Sequence, residues 1–232
     1  RFGVEGEGVW TVVNGDPVAM RRGDFLPQAG WNWHAHHNDA AEPMAWIDGL
    51  DIPYSYYTET QFFEFGRDVL SPQERATPAH SRSERIWAHP GLVPLGAKTA
   101  SRGTPLLAYR WAHTNEALAE QLALESEGYS ATLEPGHAAV RFCDPRSGAD
   151  VLPTLRCEMH RIAPGASTST SQVVGSSVVQ VFDGRGRVTV GDKTWDVDRG
   201  DMFVVPSWAT YSVAANHEQS ASESRALDLF SF

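Results

Sequence analysis

Apolar and polar positions alternate in short runs over two stretches of the chain, 4–36 and 181–213, and the two stretches match one another. The first reads VEGEGVWTVVNGDPVAMRRGDFLPQAGWNWHAH and the second VFDGRGRVTVGDKTWDVDRGDMFVVPSWATYSV. Each opens with a strand and an acidic-Gly pair, Glu5-Gly6 or Asp183-Gly184. A second strand, a tight turn at Asn14-Gly15 or Gly191-Asp192, and a third strand follow. Period-two alternation interrupted by such pairs predicts β-hairpins. Each copy closes on Arg-Gly-Asp, at 22–24 and 199–201, then an apolar run and a Trp; ten residues after the Asp come His34 and Tyr211. The register is expected to hold throughout both copies. Short strands with Gly-rich turns predict sandwiches or barrels, and two copies predict two barrels.

Between the copies the pattern changes. From about 51 to 129 the chain is rich in Pro, aromatic and polar residues, and a helical period is strong only over 114–127. There Thr114 or Asn115 can cap, Leu118 and Leu122 fall on one face, and Gly128 is placed to end the helix. Long connectors in compact proteins usually have a role, so this one is expected to wrap the barrels or mediate subunit contact. The strand pattern resumes with HAAVRF and VLPTLRCEMHRI and ends on ALDLFSF. The expected division is 1–52 for the C-terminal part of a first barrel, 53–135 for the connector and 136–232 for the second barrel.

A length of 232 residues suits two modules of this kind. With 41% hydrophobic and 21% charged residues the chain has neither the charge excess of a disordered protein nor the apolar run of a membrane span. A net charge of −10 argues against nucleic acid and anionic lipid as partners, because both require a basic footprint. Lys98 and Lys193 are the only lysines, so cationic chemistry rests on arginine, whose planar fork suits carboxylates. Cys143 and Cys157 have no CxxC spacing and read as reduced structural thiols, from which a cytoplasmic location is expected.

The segment GDFLPQAGWNWHAHHN, 23–38, resembles the second sequence motif of the cupins: a Gly, a Pro-Gly turn, then a His followed by Asn. The resemblance implies an all-β bicupin, two double-stranded β-helix barrels joined by a partly helical connector. It makes His34 a candidate metal ligand, and neutral imidazoles suit iron, manganese, copper or zinc. Strand residues two apart face the same way, so His34 and His36 project together. Either both bind the metal, or His34 binds it and His36 hydrogen-bonds a substrate. The second copy has Tyr211 and Val213 at these places, and no histidine in the preceding 165–180, so its barrel is expected to be metal-free.

RFGVEGEGVWTVVNGDPV, GDFLPQAGWNWHAH, WIDGLDIP and EGYSATLEPGHAAVRF are similar to segments of the gentisate and salicylate 1,2-dioxygenase family of ring-cleaving bicupins. That family holds Fe(II) with three histidines, two from a His-Arg-His on the strand ahead of the first of these segments. The resemblance makes His34 the third ligand and His36 a catalytic, substrate-contacting residue. It also makes Arg1 the grip on the substrate carboxylate and Asp48 an acidic residue orienting a histidine or the substrate. Trp33 is implied as a pocket wall, whereas Trp31, matched by Trp208 in the other copy, reads as core. The chain starts at the Arg after the His-Arg-His and reads as an N-terminally truncated piece. His80, His89 and His113 are not expected to replace the missing pair, and His160 reads as structural.

The family's reaction inserts both atoms of O2 between the hydroxyl- and carboxylate-bearing carbons of an aromatic hydroxy acid, converting gentisate to maleylpyruvate. Salicylate and 1-hydroxy-2-naphthoate are related substrates, and a homotetramer or other homo-oligomer is expected. The rival readings are a non-catalytic bicupin that binds small molecules or serves a structural role, and a cupin isomerase using zinc or manganese.

Overall fold

Asn14 and Gly15 sit at φ of 48° and 79° between β2 (Glu7–Val13) and β3 (Asp16–Arg21), which follow β1 (Phe2–Glu5). Two central residues at positive φ define the tight hairpin turn whose twist matches that of the strands, and Asn-Gly tolerates it best. The computed structural model describes residues 1–64, 80–98, 103–216 and 225–232. It divides the chain into two compact units, the first formed by 1–111 and 143–156, the second by 112–142 and 157–232. Residues of the 53–135 stretch therefore fall in both units; 65–79 and 99–102 lie outside the described residues.

In the first unit β4 (His34–Asn38) joins the hairpin to give the order β3-β2-β4, and β5 (Ala45–Ile47) pairs with β1. Opposite residues share a face, so the register Val9↔Met20, Thr11↔Val18 and Thr11↔His36, Val13↔His34 places His34 and His36 on the face of Val9, Thr11, Val13, Val18 and Met20. Those five are all buried. The opposite face carries Trp10 stacked on His37, ring centroids 5.2 Å apart. α1 (Ile52–Tyr57) buries nothing, whereas α2 (Arg82–Trp87) begins with a capping box between Ser81 and Glu84.

Arg-Gly-Asp has a structural use here. Asp24 is buried and takes Nη1 of Arg110 at 2.5 Å and the Trp111 N–H at 2.9 Å, while Arg110 also donates to buried Glu84 at 2.6 Å. Removing one partner from a buried ion network strands the others, so Arg110→Leu should cost about 3–5 kcal/mol of stability in a urea titration. A loss of only about 1 kcal/mol, the size of an exposed pair, would contradict this role.

The second unit begins within α3 (Trp111–Ser126), which starts three residues before the 114 expected from its period. It continues through β6 (His137–Arg141), β7 (Glu158–Ile162), β8 (Ser171–Gln172), β9 (Ser177–Asp183), β10 (Arg185–Val190), β11 (Lys193–Asp198), β12 (Met202–Val205), β13 (Thr210–Ala215) and β14 (Leu227–Ser231). These strands form two antiparallel sheets, β12-β9-β14-β7-β6 and β11-β10-β13-β8. Their inner faces enclose Ile162, Val181, Val188, Val213, Leu227 and Leu229, the two-sheet packing of a jelly roll.

The repeat is visible in the hydrogen bonds. Gly23 N–H donates to Gly3 O at 2.7 Å and Gly200 N–H to Val181 O at 2.9 Å; Asn14 N–H donates to Trp33 O and Gly191 N–H to Thr210 O, each at 2.8 Å. The register nevertheless slips by one residue. β2 bulges between Glu7 and Val9 at Gly8, φ 95°, while β10 pairs with β11 without a shift. A bulge inserts one extra residue, so Val13 matches Val190 although Gly6 matches Gly184. Both copies hold their Trp, Trp31 and Trp208, at φ 65°. Both are exposed, at 64% and 61%, which corrects the core reading of Trp31: the residue sits in a turn, not on a core-facing strand. Cys143 and Cys157 are free thiols, and no described helix is long and apolar enough to cross a membrane.

Candidate functional site

Asn14 fixes where β4 starts. Its N–H bonds Trp33 O, its Oδ1 accepts the Trp33 N–H at 3.0 Å, and its Nδ2 donates to Asn32 at 2.6 Å. The hairpin turn thereby pins the 31–33 loop and sets His34 opposite Val13. The His34 and His36 rings lie 5.7 Å apart. His34 Nδ1 is 3.3 Å from Asn32 O. A carbonyl can only accept, so Nδ1 is the donor in this contact, and in the neutral ring that tautomer leaves the Nε2 lone pair for a metal.

The His36 ring sits 5.4 Å from that of Trp46 on β5. Desolvation by the surrounding protein pushes its pKa down to about 4, helped by the charges of Arg1 and His34 and opposed by Asp48. His36 is therefore neutral at pH 7, able to accept or donate a hydrogen bond.

Arg1 directly precedes β1 and lies between the end of β5 and the extended segment around Leu26, which is bridged to β1 at Phe2 and Phe25. Its backbone exchanges hydrogen bonds with Leu26, Arg1 N to Leu26 O at 2.9 Å and Leu26 N to Arg1 O at 2.8 Å, and the next residue, Phe2, opposes Ile47 on β5. Its guanidinium donates through Nη1 to Gln28 Oε1, and Nε is 3.0 Å from Asp48 Oδ1. Burial lowers the Arg1 pKa and Asp48 partly restores it. Asp48 thus lies against Arg1, and both act electrostatically on His36. Trp33, directly before β4, is 41% exposed, while Trp31 packs on Phe62, centroids 4.5 Å apart.

The structure brings His34, His36, Arg1 and Asp48 into one neighbourhood and adds Trp46 and Gln28. Trp46 is two residues before Asp48, a spacing that could have flagged it. Gln28 left no signal in the sequence, because its contact depends on the backbone bonds between Leu26 and Arg1, distant in sequence. Of the other histidines, His80 pairs with Glu84 at 3.2 Å, His89 contacts Arg85 O at 3.1 Å, and His113 is on α3. Among the described residues no group of three or more His, Cys, Asp or Glu side chains is arranged to hold a metal. The donor set present, two imidazoles, is therefore short of a complete ligand shell.

In the second unit Tyr211 faces Val190 as His34 faces Val13. It packs on Phe203, centroids 6.0 Å apart, and burial raises its pKa. An aromatic ring fills that place. His160 shares its face with Ile162 and Leu229 and meets His137, Nδ1 to Nε2, at 3.0 Å. Glu134 flanks His137 at 3.2 Å and Glu158 flanks His160 at 3.3 Å. Burial holds the His137 pKa below its ordinary value, with Glu134 opposing and His160 reinforcing. A histidine kept neutral by the fold leaves stability intact above the unfolded pKa of about 6.5 and erodes it as pH falls through that value, because the unfolded chain binds the proton first. Urea midpoints should accordingly drop between about pH 7.5 and 5.5, and His137→Gln should remove part of that drop. An unchanged slope in the variant would contradict this.

Fold and site together define a cupin. The cupin-domain family matches residues 1–52 and 158–224, and the chain belongs to that family. It is 51% identical over all 232 residues to a gentisate 1,2-dioxygenase from Streptomyces sp, of which it spans 62%. The salicylate 1,2-dioxygenase of Pseudaminobacter salicylatoxidans superposes with a TM-score of 0.90 at 53% identity, covering 99% of this chain and 62% of that one. The same enzyme solved as an adduct with gentisate gives a TM-score of 0.91, also at 53% identity, over 99% of this chain and 60% of that one.

Proposed function

We propose that this chain is part of an Fe(II)-dependent dioxygenase that opens gentisate, or a related hydroxybenzoate such as salicylate or 1-hydroxy-2-naphthoate, between its hydroxyl- and carboxylate-bearing carbons. Gentisate would give maleylpyruvate. The observation that carries the reading is the meeting of His34, His36, Arg1 and Asp48 in one neighbourhood of a chain 51% identical to a gentisate 1,2-dioxygenase. His34 offers one imidazole as ligand, and the rest of the shell comes from residues other than those described. Bound iron would supply the redox chemistry with O2. Arg1 binds the substrate carboxylate, Asp48 holds Arg1, Trp33 and Trp46 wall the ring, and His36, neutral at pH 7, hydrogen-bonds the substrate oxygens and moves a proton. A homo-oligomer in the cytoplasm is part of the same proposal.

The test is to extend the chain at its N-terminus with the corresponding segment of the Streptomyces protein, load Fe(II), and follow dioxygen uptake with gentisate. Uptake with loss of gentisate supports the proposal. Tight gentisate binding without uptake would instead favour the non-catalytic binder.

A further inference from the structure

Arg1 is flanked on both sides by polar side chains, Asp48 just after β5 and Gln28 on the extended segment that is bridged to β1 through Phe25. Asp48 follows directly from the β1–β5 register, in which Phe2 opposes Ile47. On the other side Leu26 exchanges both backbone bonds with Arg1, and Gln28, two residues on, is the diagonal neighbour on the same face. Diagonal partners are within reach of long side chains, and Gln28 Oε1 does accept from Arg1 Nη1. Asp48 Oδ1 lies 3.0 Å from Nε as an ion pair, so Asp48 and Gln28 meet different nitrogens of one planar group. The Arg1 side chain is only 12% exposed, against 42% for Asp48.

We propose that Gln28 is a positioning residue, which together with Asp48 clamps the Arg1 guanidinium in the plane that receives a carboxylate. The proposal rests on the reading of Arg1 as the carboxylate-binding group. A rigid fork binds a carboxylate better than a mobile one because less rotamer freedom is lost on binding. A neutral amide suits this place because it fixes the guanidinium without cancelling its charge. A second carboxylate there would compete with the ligand.

Two measurements on the 232-residue chain separate the clamp from the reading beneath it. The first is water exchange of the Arg1 Nε–H in heteronuclear NMR, the signal identified by its loss in Arg1→Lys. Gln28→Met, similar in shape but lacking the accepting oxygen, should speed exchange on the order of tenfold, and Gln28→Glu should keep it slow. Unchanged exchange in Gln28→Met overturns the clamp. The second is the Kd for gentisate against that for hydroquinone, which lacks the carboxylate. Gln28→Met should weaken gentisate on the order of tenfold and leave hydroquinone unchanged, and Gln28→Glu should weaken gentisate as well. Equal weakening of both ligands, or of neither, overturns the positioning role. If the parent chain holds gentisate no better than hydroquinone, the carboxylate role falls with the reading of Arg1, and the exchange rates still decide the clamp.

Discussion

His36→Ala in the iron-loaded, extended protein should lower turnover on the order of 10²–10⁴-fold while iron per subunit stays near that of the parent. His34→Ala should lose the iron itself. The contrast follows from the register. Both rings are exposed and stand on the face of β4 shared with Thr11 and Val13, 5.7 Å apart, but it is the Nδ1 of His34 that meets a backbone carbonyl, which leaves Nε2 for a metal. His36 lies instead against Trp46 and within the fields of Arg1 and Asp48, where a substrate ring and its carboxylate would be bound. Loss of a direct ligand lowers metal affinity itself, because a stable site needs its ligand count. Equal iron loss in the two variants, purified alike, would mean that the roles are wrongly assigned.

Much of this is legible in the sequence, for definite reasons. Asn14-Gly15 and the two Arg-Gly-Asp segments are local signals, and their recurrence marks the two hairpins without tertiary information. The expectation of a metal-free second copy rests on Tyr211 standing where His34 does, and the structure places Tyr211 opposite Val190 as it places His34 opposite Val13. The slip at Gly8 is not legible, since a one-residue bulge leaves the alternation on either side intact. Nor is the start of α3, because the Trp111 N–H is satisfied by Asp24, distant in sequence, and not by a local cap at Thr114. Within the site, strand period is enough to pair His34 with His36. The place of Arg1 and Asp48 comes only from resemblance, and the part of Gln28 only from the backbone bonds between Leu26 and Arg1.

The 232-residue chain by itself should bind Fe(II) weakly and show no measurable ring cleavage, whereas the N-terminally extended form should bind Fe(II) firmly and cleave the ring. Two imidazoles on one strand do not make the ligand count that a stable iron site requires. Iron per subunit after desalting and oxygen-electrode rates for the two forms are the measurements. Comparable rates in both would show that the described residues suffice and that the ligand assignment is incomplete.

The most direct test of ring opening by dioxygen insertion is to run the extended, iron-loaded protein on gentisate under isotopically labelled dioxygen and weigh the product. Insertion into the bond between the hydroxyl- and carboxylate-bearing carbons places both labelled atoms in maleylpyruvate, one mole of dioxygen consumed per mole of gentisate; a product carrying no label, or gentisate recovered intact, would contradict the account.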